Sequence, residues 1–355
     1  MIGLIIRPNH IYAQPEKLVG AFSGRYDYLV LTKGPNLAYA VGMPDALGLV
    51  VDLKSGYSVL YVSRLDYTRA KAVAPVDKVV AVASAEIPPR RPSEELVVAP
   101  SLSELVKGLK GNVASDNKEI GVDVSGEVAE LRAVKEEWEV EVMKTALKIT
   151  EDVYARLSQM RLVGMRERDV AALVYRWFIE EGADGVAFDP IVASGPNGAY
   201  PHYRFGDRRI SYGDYVVVDV GAKKGVYCSD TTRTFALGQS GMLRDAMYAV
   251  YEAVKVAEKT AREGVAAAEV DKAAREVLAE YGFAQYFIHS TGHGVGVEVH
   301  EPPRLSATSR DTLKRGHVVT IEPGVYIEGV GGVRIEDMVY IDGGAVVLNK
   351  TPHVI

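Results

Sequence analysis

Along the first third of the chain, apolar positions fall in short runs separated by polar and glycine-containing turns. Residues 28–32, 48–53, 58–63 and 78–83, rich in Val, Leu and Tyr, read as strands. Stretches at helical spacing, 16–22, 67–73 behind a capping Asp66, and 103–109, read as helices. From about Glu127 the period lengthens, and Val128, Leu131, Val134, Trp138, Val142, Leu147 and Ile149 recur as the face of one long amphipathic helix. Helices over 168–181, 241–263 and 266–281 follow and flank Val-rich antiparallel strands. This pattern predicts an α/β fold, α+β in arrangement, with a small α/β domain over residues 1–125 and a larger one over 126–355. No internal repeat is evident, and the proline-rich segment 87–92 reads as a connecting loop.

Composition narrows the picture. A chain of 355 residues exceeds the usual size of a single hydrophobic core, which favours two unequal domains. Hydrophobic residues at 48% and charged residues at 25% are ordinary for a folded protein. The balance of 47 acidic against 41 basic residues gives a net charge of -6, which leaves no basic footprint for nucleic acid. Cys228 is the only cysteine, which excludes an intramolecular disulfide and a cysteine-rich zinc module and fits a reducing compartment. The apolar run at residues 2–6 is too short for a signal-peptide core, and no run reaches the roughly 18 apolar residues of a membrane span. A cytoplasmic protein without membrane or nucleic-acid partners is expected.

The chemistry lies in two hairpins and one glycine-rich segment. Between Tyr215 and Asp230 two strands are joined by a tight turn, and a two-residue turn at Lys224 and Gly225 would set Asp219 opposite Asp230, with Cβ atoms about 5 Å apart. Near the C-terminus, a three-residue loop at 328–330 would set Glu322 opposite Glu336. One aspartate pair on a hairpin is by itself more often a solvated surface. Here the neighbours Val319, Ile321, Val333 and Ile335 are apolar, and a buried carboxylate without a partner costs several kcal/mol. Facing buried acids require a cation between them.

Three histidines, His289, His293 and His300, fall close together in sequence, and glycines around His293 let backbone approach a crowded centre. A lone histidine would read as core packing; with four acids at hand, ligation is the better account. The segment from Gly292 to Gly296 lacks the spacing and following helix of a phosphate loop. A Ser194, His202, Asp207 triad lacks the strained nucleophile turn, and Cys228 reads as a packed thiol. One imidazole and four carboxylates form an oxygen-rich set that suits two divalent ions, manganese or cobalt before zinc or iron. Two such ions about 3.5–4 Å apart activate a bridging hydroxide and polarise a carbonyl, the chemistry of amide hydrolysis.

These residues sit in motifs that resemble the pita-bread metallopeptidases, the family of prolidase, proline-specific aminopeptidase P and methionine aminopeptidase. The motifs are Val218-Asp219-Val220-Gly221, Ser229-Asp230-Thr231-Thr232-Arg233-Thr234, Gly292-His293-Gly294, Val299-His300-Glu301, Ile321-Glu322-Pro323-Gly324 and Gly332-Val333-Arg334-Ile335-Glu336-Asp337. They cover residues 130–345, and residues 1–125 resemble more loosely the N-terminal domain shared by prolidase, aminopeptidase P and creatinase. The resemblance implies a curved antiparallel pita-bread sheet flanked by helices. It implies Asp219 on one metal, His293 and Glu322 on the other, and Asp230 and Glu336 bridging. It further implies catalytic roles for His202, His300 and Glu322, and substrate binding by His202, His289, His300, Arg304 and Arg334.

Arg304 stands where prolidases carry an arginine just past the His-Glu pair, suited to take a dipeptide's C-terminal carboxylate in a bidentate grip. Arg334 is typical of prolidase and aminopeptidase P and atypical of methionine aminopeptidase. Pro302-Pro303 departs from the more usual aromatic residue at that place. The implied substrate is a small peptide with proline at its second position, an Xaa-Pro dipeptide, and the implied state is a homodimer. Aminopeptidase P activity on longer peptides is the alternative. A non-catalytic binding module of the same fold is disfavoured, because all five candidate ligands are present.

Overall fold

The computed structural model describes residues 15–238 and 241–353; the apolar run at 2–6 lies outside them. Two compact units divide the chain, one up to Arg132 and one from Ala133 onward.

In the first unit, β1 (Tyr28–Leu31), β2 (Gly48–Asp52), β3 (Ser58–Ser63), β4 (Lys78–Ala83), β5 (Leu96–Val98), β6 (Val113–Ser115) and β7 (Val122–Asp123) form one sheet in the order β5-β4-β3-β2-β1-β6-β7. β2 runs antiparallel to both its neighbours, and the remaining pairs are parallel. Helices α1 (Pro15–Phe22), α2 (Gly34–Val41), α3 (Tyr67–Val73) and α4 (Leu102–Val106) accompany it. The sequence pattern gave no sign of α2 because its residues from Asn36 to Val41 are all buried, so the helix has no polar face over that stretch. Asp66 does not cap α3 as expected; its carboxylate instead accepts from the Ser63 hydroxyl at 2.8 Å and pairs with Arg69.

The expected long helix from Glu127 is two helices, α5 (Ser125–Ala133) and α6 (Glu137–Ser158). The break at residues 134–136 has local causes. Val134 pairs with the backbone of His317, and Glu136 with Glu139 forms a reciprocal cap on α6. The apolar spacing runs through the break and hides it.

Beyond α6 come α7 (Glu167–Glu180), α8 (Gly241–Thr260) and α9 (Ala267–Glu280). Here a repeat emerges that the sequence reading missed. α7 and α9 lie one hundred positions apart, as do the left-handed turn glycines Gly164 and Gly264, and Gly182 and Gly282. Buried Val170, Ala171, Val174 and Phe178 of α7 correspond to buried Val270, Asp271, Ala274 and Leu278 of α9. Only one of those four pairs is identical, so burial is repeated where residue identity is not.

The strands of this unit are β8 (Gly185–Val186), β9 (Ile191–Ser194), β10 (Tyr215–Val220), β11 (Ala222–Lys224), β12 (Tyr227–Cys228), β13 (Thr231–Ala236), β14 (Gly292–Gly294), β15 (Glu301–Leu305), β16 (Val318–Ile321), β17 (Gly324–Ile327), β18 (Gly331–Arg334), β19 (Asp337–Asp342) and β20 (Gly344–Val347). They pair antiparallel throughout, as β13-β10-β9, β12-β11-β8, β15-β14-β16-β19-β20 and β17-β18. Antiparallel sheet with helices packed on it is the pita-bread arrangement that the motifs implied. Val216, Val218 and Val220 of β10 pack with Tyr154, Leu157 and Phe178 of α6 and α7. Val319, Ile321, Val333 and Ile335 pack with α8 and α9. Because side chains alternate along a strand, these apolar residues turn the acids between them to the opposite face.

Candidate metal centre

Asp219 belongs to β10, whose partner β13 sets it opposite Thr232, not Asp230. The hairpin closes with Lys224 opposite Tyr227, so its two-residue turn is Gly225 and Val226, one position later than expected. Gly225, at φ 58°, supplies the left-handed backbone that a tight hairpin turn needs at its first central residue. Moving the turn by one residue shifts the cross-strand partner by two. An even shift preserves the face, so Asp219 and Asp230 still emerge on the same side.

The second hairpin has the expected register. Its loop is residues 328–330, with Ile327 opposite Gly331 and Gly324 opposite Arg334 in one ladder, and Ile321 opposite Asp337 in the next. Glu322 and Glu336 therefore face each other in the gap between the two ladders. Their backbone N–H groups bond outward, Glu322 to Thr291 O at 2.7 Å and Glu336 to Thr232 O at 3.1 Å. That outward bonding ties each acid to a neighbouring part of the same unit and holds the gap open.

His293 lies on β14, whose glycines make room for it. A Cβ on Gly292 would stand 1.9 Å from Thr320 O, and one on Gly294 would stand 2.1 Å from Pro302 O. His293 Nδ1 donates to Gly294 O at 3.1 Å, which directs Nε2 at Glu322 Oε1, 3.3 Å away, and at Asp230 Oδ2, 3.7 Å away. Ligand atoms of Asp230, His293 and Glu336 all lie within 4.8 Å of one another.

The electrostatics of this cluster are those of a cation site. Burial, then the charges of Glu336, Asp219 and Glu322, push Asp230 well above the usual carboxylate range. Burial, then Glu322 and Asp219, do the same to Glu336. Burial also raises Asp219, against the opposing charge of Arg334. Glu322 differs: burial would raise it, but the His293 hydrogen bond and charge bring it down to about 2. Asp219 Oδ1 is buried with no hydrogen-bond partner among the described residues. An orphaned carboxylate oxygen among crowded acids fits a bound divalent ion, so the residues present suit the metals the motifs imply.

All ten residues singled out in the sequence line one cavity of about 690 Å³: Asp219, Asp230, His293, Glu322, Glu336, His202, His289, His300, Arg304 and Arg334. The His300 ring stands edge-on to His293 with centroids 4.3 Å apart, and burial, then the charge of His293, lowers its pKa. His289 donates from Nδ1 to Ser290 O and its Nε2 is 2.8 Å from the Tyr326 hydroxyl. Arg334 is buried; it bonds Asp219 Oδ2 at 2.6 Å, Tyr326 Oη at 2.8 Å and Thr232 Oγ1 at 3.0 Å. Arg304 is exposed at the cavity, its backbone N–H donating to Asp311 Oδ2.

Several residues escaped the sequence reading. Thr232, whose hydroxyl donates to Glu336 Oε2 at 2.8 Å, lies two positions from Asp230, and Tyr326 lies four from Glu322. Strand parity could have found both. The walls formed by Phe188, Ile191, Pro201 and Pro302 come from separate segments and carry no such signal.

Residues 141–343 match metallopeptidase family M24, and residues 23–162 match the creatinase/prolidase N-terminal domain. The chain is 38% identical over 331 residues to the Xaa-Pro dipeptidase of Pyrococcus furiosus, covering 92% of this chain and 94% of that protein. Among solved structures, the prolidase from Pyrococcus furiosus is similar with a TM-score of 0.79 at 33% identity, over 96% of this chain and 100% of that one. The X-Pro aminopeptidase from Thermotoga maritima is similar with a TM-score of 0.84 at 30% identity, over 97% and 100%.

Proposed function

The chain belongs to metallopeptidase family M24, and from that membership we propose that it hydrolyses Xaa-Pro dipeptides, using two divalent ions, manganese or cobalt before zinc or iron. The observation that carries this reading is the single cavity on which the five candidate ligands meet His202, His300 and Arg304. A volume of about 690 Å³ suits a small ligand. Asp219, Asp230, His293, Glu322 and Glu336 would hold the ions. Bound there, the ions would supply Lewis-acid polarisation of the scissile carbonyl and a nucleophilic water at neutral pH.

The protein's own residues do the rest. Glu322, lining the cavity beside His293, would accept a proton from the attacking water. His300, its pKa lowered, faces the cavity as a neutral imidazole, and with His202 it offers hydrogen-bond donors to the oxygen on which charge develops. Arg304 takes the free carboxylate of the dipeptide. Phe188, Ile191, Pro201 and Pro302 supply apolar surface for the proline ring. A cytoplasmic location, supported by the single buried cysteine, and a homodimeric state, supported by the family, complete the proposal. No described helix is long and apolar enough to cross a membrane.

Release of an N-terminal residue from longer peptides is the second reading, favoured by the likeness to the X-Pro aminopeptidase structure. The test compares an Xaa-Pro dipeptide with an Xaa-Pro-Xaa tripeptide on protein loaded with manganese or cobalt. The proposal expects the dipeptide to be preferred and Arg304→Ala to raise its KM selectively, by about tenfold or more. Preference for the tripeptide, with Arg304→Ala without effect, would replace it with the second reading.

A further inference from the structure

Lys135 sits in the break between α5 and α6, with its side chain 0% exposed. Its ammonium donates to Glu301 Oε1 at 2.5 Å and to Ala133 O at 3.1 Å, and its backbone N–H donates to Gly316 O at 2.8 Å. Glu301, 1% exposed, immediately follows His300 and pairs with Gly294 in the β14–β15 ladder. A Cβ added to Gly296 would stand 2.3 Å from Glu301 Oε1, so the carboxylate is packed under the loop that leads from His293 to His300. That loop sets the edge-on contact of the two rings.

A buried ion pair of this kind gives little or no net stability over apolar residues of the same volume, whereas removing one partner leaves a costly buried charge. Its value lies in geometry. We propose that Lys135 is a positioning residue: through Glu301 it fixes the loop that holds His300 beside His293, and so sets the rate of turnover without touching substrate. This rests on the reading of His300 as a donor to the oxygen on which charge develops.

The test uses full-length, manganese-loaded Lys135→Met and Lys135→Arg. Lys135→Met is expected to bind manganese with unchanged stoichiometry, to lower kcat for an Xaa-Pro dipeptide about tenfold or more, and to keep KM within about threefold. Lys135→Arg is expected to restore kcat to within about threefold of the wild type. A crystal structure of Lys135→Met is expected to show the His300 ring displaced from His293. If the single variant does not fold, Lys135→Met with Glu301→Gln removes the buried charge left behind and is expected to show the same fall in kcat. A folded, metal-loaded variant with wild-type kcat and His300 in place would overturn the proposal. Wild-type protein that does not cleave Xaa-Pro dipeptides would sink the proposed function instead, and the His293–His300 separation in the variant would still decide the role of Lys135.

Discussion

Asp219 divides its two oxygens between unlike surroundings. Oδ2 holds the buried Arg334 guanidinium at 2.6 Å, while Oδ1 is buried without a partner among the described residues. Half of the carboxylate is neutralised by the protein and half is left for a cation, which explains why an acid can be buried here at all. His317 shows the opposite solution, a buried titratable group kept neutral. Its Nδ1 accepts from Lys314 N at 3.2 Å, which a protonated ring could not do, and burial, then Lys135 and Lys314, push its pKa down to about 4 against the weaker pull of Asp311 and Glu301. In the unfolded chain the same ring takes a proton near pH 6.5. Between about pH 6.5 and 4 the unfolded state therefore binds a proton that the folded state refuses. This contribution to stability is complete above pH 6.5 and is lost as pH falls toward 4, on the order of 3 kcal/mol. Urea midpoints measured across that window are expected to fall more steeply for the wild type than for His317→Asn, whose amide oxygen can accept the same hydrogen bond. Parallel declines would remove His317 from this role.

At the scale of elements, glycine spacing decides whether the site can form. A Cβ on Gly292 would collide with the carbonyl of Thr320, backbone that cannot swing aside, whereas Gly126 in α5 has open space around its Cα. Gly292→Ala is expected to cost about 3 kcal/mol or more and to abolish metal binding by parting β14 from β16. Gly126→Ala is expected to stabilise by about 0.5–1 kcal/mol through helix propensity. Equal unfolding free energies for the two variants would contradict the close packing at β14. The same scale explains what the sequence did and did not disclose. The register of the Glu322 and Glu336 hairpin was legible because its loop length left one pairing of the apolar faces. The Asp219 hairpin was read with its turn one residue early, since Lys224, Gly225 and Val226 allow either choice until the left-handed Gly225 is seen to take the first central position. Alternation kept the faces right despite that slip. The break before α6 was not legible, because Val134 pairs with distant His317, a tertiary contact that helical periodicity does not encode.

On the scale of the whole catalytic unit, two helix pairs each support one part of the site. β10 and the Asp230 segment pack with α6 and α7, while β16, β18 and the strand segments bearing Glu322 and Glu336 pack with α8 and α9. Asp219 and Asp230 come from the first half, His293, Glu322 and Glu336 from the second, so the centre exists only when both halves are folded together. The ligands were legible because buried acids are chemically anomalous; the apolar walls at Phe188, Ile191, Pro201 and Pro302 were not, since apolar residues there look like ordinary core. Crowded acids at such a juncture make metal the central claim. Metal-stripped protein titrated with Mn2+, with binding followed calorimetrically and Xaa-Pro dipeptide hydrolysis assayed at each step, tests it most directly. The account predicts two equivalents bound, turnover rising with their binding, and loss of both in Glu336→Ala, by at least about a thousandfold in rate. Full turnover by the metal-free protein, or no manganese bound at saturating concentration, would contradict it.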